Sequence, residues 1–145
     1  MPHLTIAPLT DADVDAVVAL WKRCGLTRPW NDARADIALA RKGDNATILV
    51  GRAGDALVAA LMVGHDGHRG WFYYLGVEPD AQGRGFGRAI TQAGEAWLRE
   101  RGIEKAQLMV RPGNETVRAF YGSLGYGEQE RVVFAKWLDG RPPTP

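Results

Sequence analysis

The chain has 145 residues, 46% of them hydrophobic and 24% charged, which is the composition of one folded domain with an ordinary core. Its 18 basic and 17 acidic residues leave a net charge of +1, so charge provides no basis for binding nucleic acid or an anionic membrane. A single cysteine, Cys24, excludes an internal disulfide framework and a cysteine-clustered metal site, and the N-terminal MPHLTIAPL lacks the charged-then-apolar order typical of a signal peptide. We therefore expect a cytoplasmic protein without a metal.

A short strand and two helices are predicted first. Leu4 and Ile6 alternate as in a strand, and Thr10 with Asp13 three residues later predicts a capping box. The helix that follows runs to about Arg23, with an apolar stripe of Val14, Val17, Val18 and Trp21. Asn31 or Asp32 is predicted to cap a weaker second helix that ends at Gly43.

Three strands and a long helix come next. Residues 46–52 and 56–64 are apolar or β-branched runs, joined by a predicted hairpin turn at residues 53–55. A polar loop at residues 65–70 leads into an aromatic strand at residues 71–77. After a glycine-rich loop, a helix is predicted to end at Gly102, with Phe86, Ile90, Ala93 and Trp97 on one stripe.

The remaining elements complete an α/β domain. Residues 106–111 are predicted as a strand, and Asn114 opens a helix that Gly125 closes, with Val117, Phe120, Tyr121 and Leu124 on its apolar face. Residues 126–138 are predicted to supply one or two final strands. The order β-α-α-β-β-β-α-β-α-β(-β) predicts a mixed sheet with helices on its faces, a three-layer sandwich. Residues 1–138 form this single domain, and the proline-rich residues 139–145 are predicted to be a disordered tail.

The stretch QGRGFGRAI, from Gln82 to Ile90, places three glycines at alternate positions just before a helix. Each glycine in a regular element costs roughly 0.5–1 kcal/mol relative to alanine, so their repetition needs a reason. Free N–H groups at a helix start bind anions, and glycines let a diphosphate approach the backbone. The Rossmann spacing fails, since Arg88 or Ile90 stands where its last glycine belongs, and Walker A is absent.

Three motifs in this order carry a resemblance to a known family. They are Leu75-Gly76-Val77-x-Pro79, the glycine loop read as [QR]-x-x-G-x-[GA], and Asn114 followed by Phe120-Tyr121-x-x-Leu124-Gly125-Tyr126. From about residue 4 to residue 138 the sequence resembles the GNAT superfamily of acetyl-CoA-dependent N-acetyltransferases, and it is similar to the ribosomal-protein alanine N-acetyltransferase branch.

The resemblance implies a site for acetyl-CoA. In this family the pantetheine arm lies along the fourth strand like an added strand, and the pyrophosphate lies on the glycine loop. The residues implied in cofactor binding are Leu75, Gly76, Val77, Gln82, Gly83, Arg84, Gly85, Phe86, Gly87, Arg88 and Asn114. A backbone N–H near Gly76 or Val77 would stabilise the oxyanion. Tyr121 matches the family's acid for the leaving thiolate. Tyr121 is otherwise a core aromatic residue, and Asn114 is otherwise only a helix cap.

Two parts of the family's site remain to be assigned in this sequence. The general base departs from the family pattern, and the residues of the acceptor wall have two alternative roles. Met109 stands where the branch has its glutamate base, so the enzyme uses another base, acts through water, or receives a neutral amine. Replacement candidates are Glu78, Asp66 and His68, whereas Cys24 has no evident base partner as a nucleophile. The family builds its acceptor wall between the first two helices, where Arg28, Trp30 and Asp32 form a recognition surface or else pack and cap the second helix.

The leading hypothesis is an N-acetyltransferase that moves an acetyl group from acetyl-CoA to a primary amine by direct attack in a ternary complex. The acceptor is a small molecule, a protein terminus or a lysine. The rival hypothesis is a non-catalytic acyl-CoA-binding module, which the missing glutamate keeps open. The expected partners are acetyl-CoA and the amine alone, with no nucleic acid and no membrane, for a monomer or homodimer.

Overall fold

A computed structural model describes residues 3–143, which fall into two compact units, Met1–Met109 and Val110–Pro145. Residues 144 and 145 of the predicted tail lie outside the described residues. The first unit contains five strands, β1 (Leu4–Pro8), β2 (Ala46–Ala53), β3 (Ala56–His65), β4 (Gly70–Val77) and β5 (Ala106–Gln107). It also contains three helices, α1 (Val14–Arg23), α2 (Ala33–Ala40) and α3 (Phe86–Glu100). The second unit contains α4 (Glu115–Ser123).

The five strands form one sheet in the order β1-β2-β3-β4-β5. The first four are antiparallel neighbours, and β5 runs parallel to β4. The sheet is therefore an antiparallel meander that ends in a parallel strand, which α3 connects to β4. The described helices include none long and apolar enough to cross a bilayer.

Helices cover both faces of this sheet. Trp21 and Leu20 of α1 and Ile37 of α2 share a core with Ile48 and Ala60 on one face. On the other face, α3 lies so close that a Cβ on Gly94 would be 2.8 Å from Leu61 Cδ2. Because neighbouring residues of β3 point to opposite faces, Ala60 packs towards α1 and α2, whereas Leu61 packs towards α3. The predicted three-layer α/β arrangement and its fold class are confirmed.

The predicted helix starts are largely correct. Thr10 N and Thr10 Oγ1 donate to Asp13 Oδ2 over 2.9 and 3.0 Å, which forms the predicted capping box before α1. Of the two candidate caps for α2, the structure uses Asp32, whose Oδ1 accepts from the backbone N–H groups of Arg34 and Ala35. Asn114 caps α4 by accepting from Val117 N. A local hydrogen bond at fixed spacing explains why sequence alone could locate these helix starts.

One predicted strand is shorter than expected, and another is absent. The strand predicted at residues 106–111 pairs only at Ala106 and Gln107, and residues 126–138 contain no strand. In this last segment Val132, Val133, Phe134 and Leu138 are 83%, 63%, 94% and 94% exposed. A β-branched and aromatic run becomes a strand only when a neighbouring strand accepts its hydrogen bonds, and the structure gives these residues no ladder partner.

The buried stripe of α3 also differs from the prediction. Phe86 and Ile90 are buried as expected, but the stripe continues through Gly94 and Leu98, and Ala93 and Trp97 are only half-buried. Spacings of four residues keep these positions on the sheet-facing side. Gly94 belongs there because Leu61 and Phe72 leave no room for a side chain.

Candidate active site

One edge of β4 is unpaired along most of its length. The β4–β5 ladder consists of Gly70 opposite Ala106 and Trp71 opposite Gln107. Residues 73–77 therefore have no ladder partner on that edge within the described sheet. An open edge presents backbone N–H and C=O groups to an extended ligand, as in the strand-like binding predicted for the pantetheine arm.

A bulge in β4 changes which face its side chains occupy. The register with β3 shifts between Ala60 and Met62, and Tyr74 has φ of 57°, the one positive φ of a described non-glycine residue. Before the bulge, a Cβ on Gly70 would meet Leu98 of α3. After the bulge, Tyr74 stacks on Trp21 of α1, with ring centroids 4.3 Å apart. The bulge adds one residue to β4 relative to β3, so the side chains at the end of β4 face α1 and α2.

The three predicted pantetheine-binding residues end this strand. A Cβ on Gly76 would lie 3.2 Å from Cys24 Sγ and 3.3 Å from Trp21 Cδ1, so the glycine is required for packing against α1. The Val77 carbonyl accepts from Cys24 Sγ and from Gln82 Nε2, each over 3.3 Å. Two side chains thus occupy the lone pairs of Val77 O, which leaves the backbone around Leu75 as the freer part of this edge.

The glycine loop leaves open space at the start of α3. Gly83 and Gly85 have φ of 79° and 82°, and no atom lies within 4 Å of the position that a Cβ would take on either. Gly85 is the N-cap of α3 and supplies no side-chain hydrogen bond, and the first turn contains no acidic residue. The positive end of the helix dipole therefore faces open space, which suits an anion.

The other residues of the loop divide between core and surface. Phe86 is 3% exposed and packs with Val58 and Ala81, so its side chain anchors the helix start and only its backbone can face a ligand. Arg84 and Arg88 are exposed on either side of it, and Gly87 lies in the first turn of α3. Two exposed arginines beside free N–H groups make this corner suitable for a diphosphate.

The candidate bases have structural partners of their own. Arg23 donates to both carboxylate oxygens of Glu78, with Nη2 only 2.6 Å from Oε2. Asp66 accepts from the backbone N–H groups of Arg69 and His68 and from Trp71 Nε1, which lowers its pKa to about 2. His68 is exposed in the same turn. The lowered pKa makes Asp66 a weak proton acceptor, and Arg23 occupies both oxygens of Glu78, so these contacts favour structural roles for both residues.

The predicted acceptor wall is built by local contacts. Arg28 Nη1 donates to the carbonyl oxygens of Gly25 and Thr27 over 2.7 and 2.9 Å, which braces the turn after α1. Asp32 caps α2, as described, and Trp30 is half-buried between them. Burial raises the pKa of the Cys24 thiol, which agrees with a neutral packing role.

The second unit carries the predicted acid. Tyr121 is 7% exposed, and its ring makes edge-to-face contacts with Phe120 and Tyr126, with centroids 5.0 and 5.5 Å away. Burial raises the pKa of Tyr121 to about 12. The phenol is therefore protonated throughout the neutral range, which a proton donor requires. Asn114 lies at the start of the same helix as its cap.

One arrangement was not predicted from the sequence. The Tyr74 hydroxyl donates to Asp36 Oδ2 over 2.7 Å and thereby joins β4 to α2. Asp36 belongs to no recognised motif. Strict alternation along β4 would place Tyr74 on the same face as Gly70, away from α2. Only the bulge brings these two residues together.

An open strand edge followed by a glycine-capped helix defines a class of proteins that bind an extended, phosphate-bearing cofactor. Residues 10–126 match the model of the acetyltransferase (GNAT) family. The chain is 40% identical over 135 residues to an acetyltransferase of Yersinia enterocolitica, covering 93% of this chain and 96% of that protein. It is also 42% identical over 126 residues to an acetyltransferase of Pectobacterium atrosepticum, covering 87% and 89%.

Solved structures show the same fold. An aminoglycoside N-acetyltransferase in complex with a bisubstrate analogue of CoA superposes with a TM-score of 0.81 at 17% identity, covering 93% of this chain and 98% of that one. The ribosomal-protein alanine N-acetyltransferase of Escherichia coli gives a TM-score of 0.76 at 26% identity, covering 96% and 88%. The chain belongs to the GNAT acetyltransferase family. The predicted enzyme class, an acetyl-CoA-dependent N-acetyltransferase, is confirmed.

Proposed function

We propose that this enzyme transfers the acetyl group of acetyl-CoA to a primary amine, on a small molecule, a protein terminus or a lysine, by direct attack in a ternary complex. The observation that carries the proposal is the continuity of the unpaired β4 edge with the glycine-capped start of α3. The β4 edge is suited to the amide-bearing pantetheine arm, and the start of α3 is suited to the diphosphate.

In this proposal the cofactor is held mainly by backbone groups. The N–H groups at the start of α3 bind the pyrophosphate, and Arg84 and Arg88 add charge-assisted hydrogen bonds. The open edge around Leu75 pairs with the pantetheine amides. This geometry holds the thioester beside the β4 bulge, where a backbone N–H can stabilise the oxyanion of the tetrahedral intermediate.

The chemistry then needs two proton transfers. The amine nitrogen attacks the thioester carbonyl carbon, the new C–N bond forms, and the C–S bond breaks. Tyr121, whose pKa of about 12 keeps it protonated at neutral pH, donates its proton to the thiolate as the C–S bond breaks, and solvent then returns a proton to the phenolate. The amine attacks in its neutral form and loses one proton from its nitrogen as the amide forms; Met109, which is 52% exposed, cannot accept that proton, so it leaves to solvent.

The test combines binding and turnover. Acetyl-CoA at 100 times its dissociation constant should stabilise the folded enzyme by roughly 2.7 kcal/mol, whereas NAD should leave the melting temperature unchanged. Thiol release from acetyl-CoA across a panel of amines, amino acids and peptides, with mass spectrometry of the products, should show acetylated amines. Binding of acetyl-CoA without thiol release above the hydrolysis background for any amine would refute the transfer reaction.

A further inference from the structure

The Tyr74–Asp36 contact lies at the bulge where the proposed reaction takes place. Tyr74 is held by its stack on Trp21, with an interplanar angle of 15°, and its hydroxyl lies 2.7 Å from Asp36 Oδ2. Neither residue belongs to the cofactor motifs. The cofactor motifs therefore do not explain this pair, which lies on the side of β4 that faces α1 and α2.

Asp36 is a half-buried carboxylate without a cation. Its hydrogen-bond partner is a neutral phenol, and among residues 3–143 it forms no ion pair. Two arginines near it in sequence are paired elsewhere: Arg34 of α2 with Asp15 over 2.6 Å, and Arg41, the C-cap of α2, with Asp11 over 2.7 Å. Burial and the negative charges of Asp36 and Asp32 raise the pKa of Tyr74, so the tyrosine remains a donor. A partly buried carboxylate of this kind is stabilised by an incoming positive charge.

An unpaired buried donor lies in the same aromatic stack. Trp21 is completely buried, and its indole Nε1 is one of two buried side-chain polar atoms in the described part of the chain that have no hydrogen-bond partner. Its neighbouring ring atom Cδ1 lies 3.3 Å from the position of a Cβ on Gly76. The donor edge of the indole thus faces β4 just after the bulge. Unsatisfied buried donors are rare in folded proteins, so this aromatic stack is held mainly by packing and by the Tyr74–Asp36 hydrogen bond.

We infer that Asp36 binds a second, positively charged group of the acceptor, so that the enzyme acts on diamines or other dibasic amines. This inference rests on the proposed acetyl transfer. A tyrosine is about 6.5 Å long from Cα to hydroxyl, so Asp36 lies at most about 9 Å from the bulge backbone. For a reacting nitrogen at the bulge, the second nitrogen lies up to about 9 Å away, which an extended chain of up to about six methylenes can span.

The experiment compares 1-aminopentane with 1,5-diaminopentane as acceptors at saturating acetyl-CoA. Wild-type enzyme should prefer the diamine by at least about tenfold in kcat/KM, mainly through KM, well above the twofold expected from two equivalent amines. Asp36→Asn should lower kcat/KM for the diamine by about 10- to 100-fold and that for the monoamine by less than about threefold. Asp15→Asn, which removes an exposed carboxylate on α1, is the matched control and should leave both values unchanged.

A binding measurement separates this inference from the proposed function. With CoA present, 1,5-diaminopentane should raise the melting temperature of wild type but not that of Asp36→Asn, while both still respond to CoA. Tyr74→Phe, which removes only the hydroxyl, should weaken diamine binding to a smaller extent. Equal use of the two amines, or an equal loss on both in Asp36→Asn, overturns the role of Asp36 and leaves acetyl transfer intact. Diamine binding without any acetylated product refutes acetyl transfer and retains Asp36 as a cation site.

Discussion

Arg23 and Glu78 form a two-point ion pair between the end of α1 and the end of β4, with Nε 3.0 Å from Oε1 and Nη2 2.6 Å from Oε2. The pairing occupies both oxygens of a carboxylate that directly follows β4. It also explains the arginine at the end of α1, since the residue ties the helix to the strand that carries the bulge.

We expect Glu78→Gln to keep most of the catalytic rate. A carboxylate held by both arms of an arginine is not free to take a proton, so kcat should change by less than about fivefold, against the 10²–10⁴-fold expected for a lost base. Stability should change little, because the Arg23 side chain is half-exposed and solvent screens the ion pair. Steady-state rates from pH 6 to 9 test this. A hundredfold loss, together with a flattened acidic limb of the rate profile, would make Glu78 the base after all.

Gly85→Val should weaken CoA binding more than it weakens the fold. Gly85 has φ of 82°, a conformation that costs a residue with a side chain roughly 1–2 kcal/mol, and its Cβ would enter the open space before α3. Gly102→Val is the matched control, because Gly102 has φ of 76° and open surroundings at the other end of the same helix. Both variants should lose similar stability in urea melts. Isothermal titration should show weaker CoA binding in Gly85→Val alone, and equal affinities would remove the diphosphate from this loop.

Tyr121→Phe should keep CoA affinity and lower kcat by about 10²–10⁴-fold. The change deletes one oxygen, so the edge-to-face contacts with Phe120 and Tyr126 are retained. Tyr126→Phe is the control for removing a neighbouring hydroxyl. Since the pKa of Tyr121 is about 12, wild-type kcat should not decline through loss of this proton between pH 7 and 10. A folded Tyr121→Phe enzyme with normal kcat, measured where chemistry limits the rate, would leave the tyrosine a purely structural role.

Gly94→Ala should destabilise the enzyme although alanine favours helices. The new methyl would lie 2.8 Å from Leu61 Cδ2 and 2.9 Å from Phe72 Cε1, an overpacking that costs about 1–3 kcal/mol. Gly122→Ala in α4 meets no atom within 4 Å and should stabilise by up to about 1 kcal/mol through helix propensity alone. Free energies of unfolding from urea titrations compare the two. Stabilisation by both substitutions would contradict the close packing of α3 on the sheet.

Asp13→Asn should lower stability at neutral pH by about 1–3 kcal/mol. Asp13 is 7% exposed, and the backbone N–H of Thr10 and the Arg52 guanidinium hold its pKa below its usual range in spite of burial. A carboxylate with a lowered folded-state pKa stabilises the fold above its unfolded pKa of about 3.9, and this contribution is lost as the pH falls through the folded value. The difference in the free energy of unfolding between wild type and variant should therefore narrow below about pH 4. Asp11→Asn is the exposed control, and a gap that does not depend on pH would exclude the charge of Asp13 as its cause.

The helix starts and the glycine loop before α3 could be predicted from the sequence because their signals are local. A capping carboxylate lies within three residues of the N–H groups it binds, and the glycines of residues 83–87 adjoin the helix they open. Such patterns depend on backbone geometry that neighbouring residues determine by themselves. The failed strand prediction at residues 126–138 shows the limit. Strand propensity is visible in Val132 and Val133, but the partner that would make them a strand is not.

By itself the sequence determined the α/β class, the positions of nearly all helices and strands, and the enzyme family, since spacing, turn residues and motif order carry this information. Only the tertiary structure decided that Arg23 holds Glu78, that Gly94 is required by Leu61 and Phe72, and that Tyr74 reaches Asp36. These contacts join residues between 22 and 55 positions apart. A shift of one residue in the β3–β4 register reverses the face of every side chain after it. The sequence of β4 contains no pattern that predicts this shift.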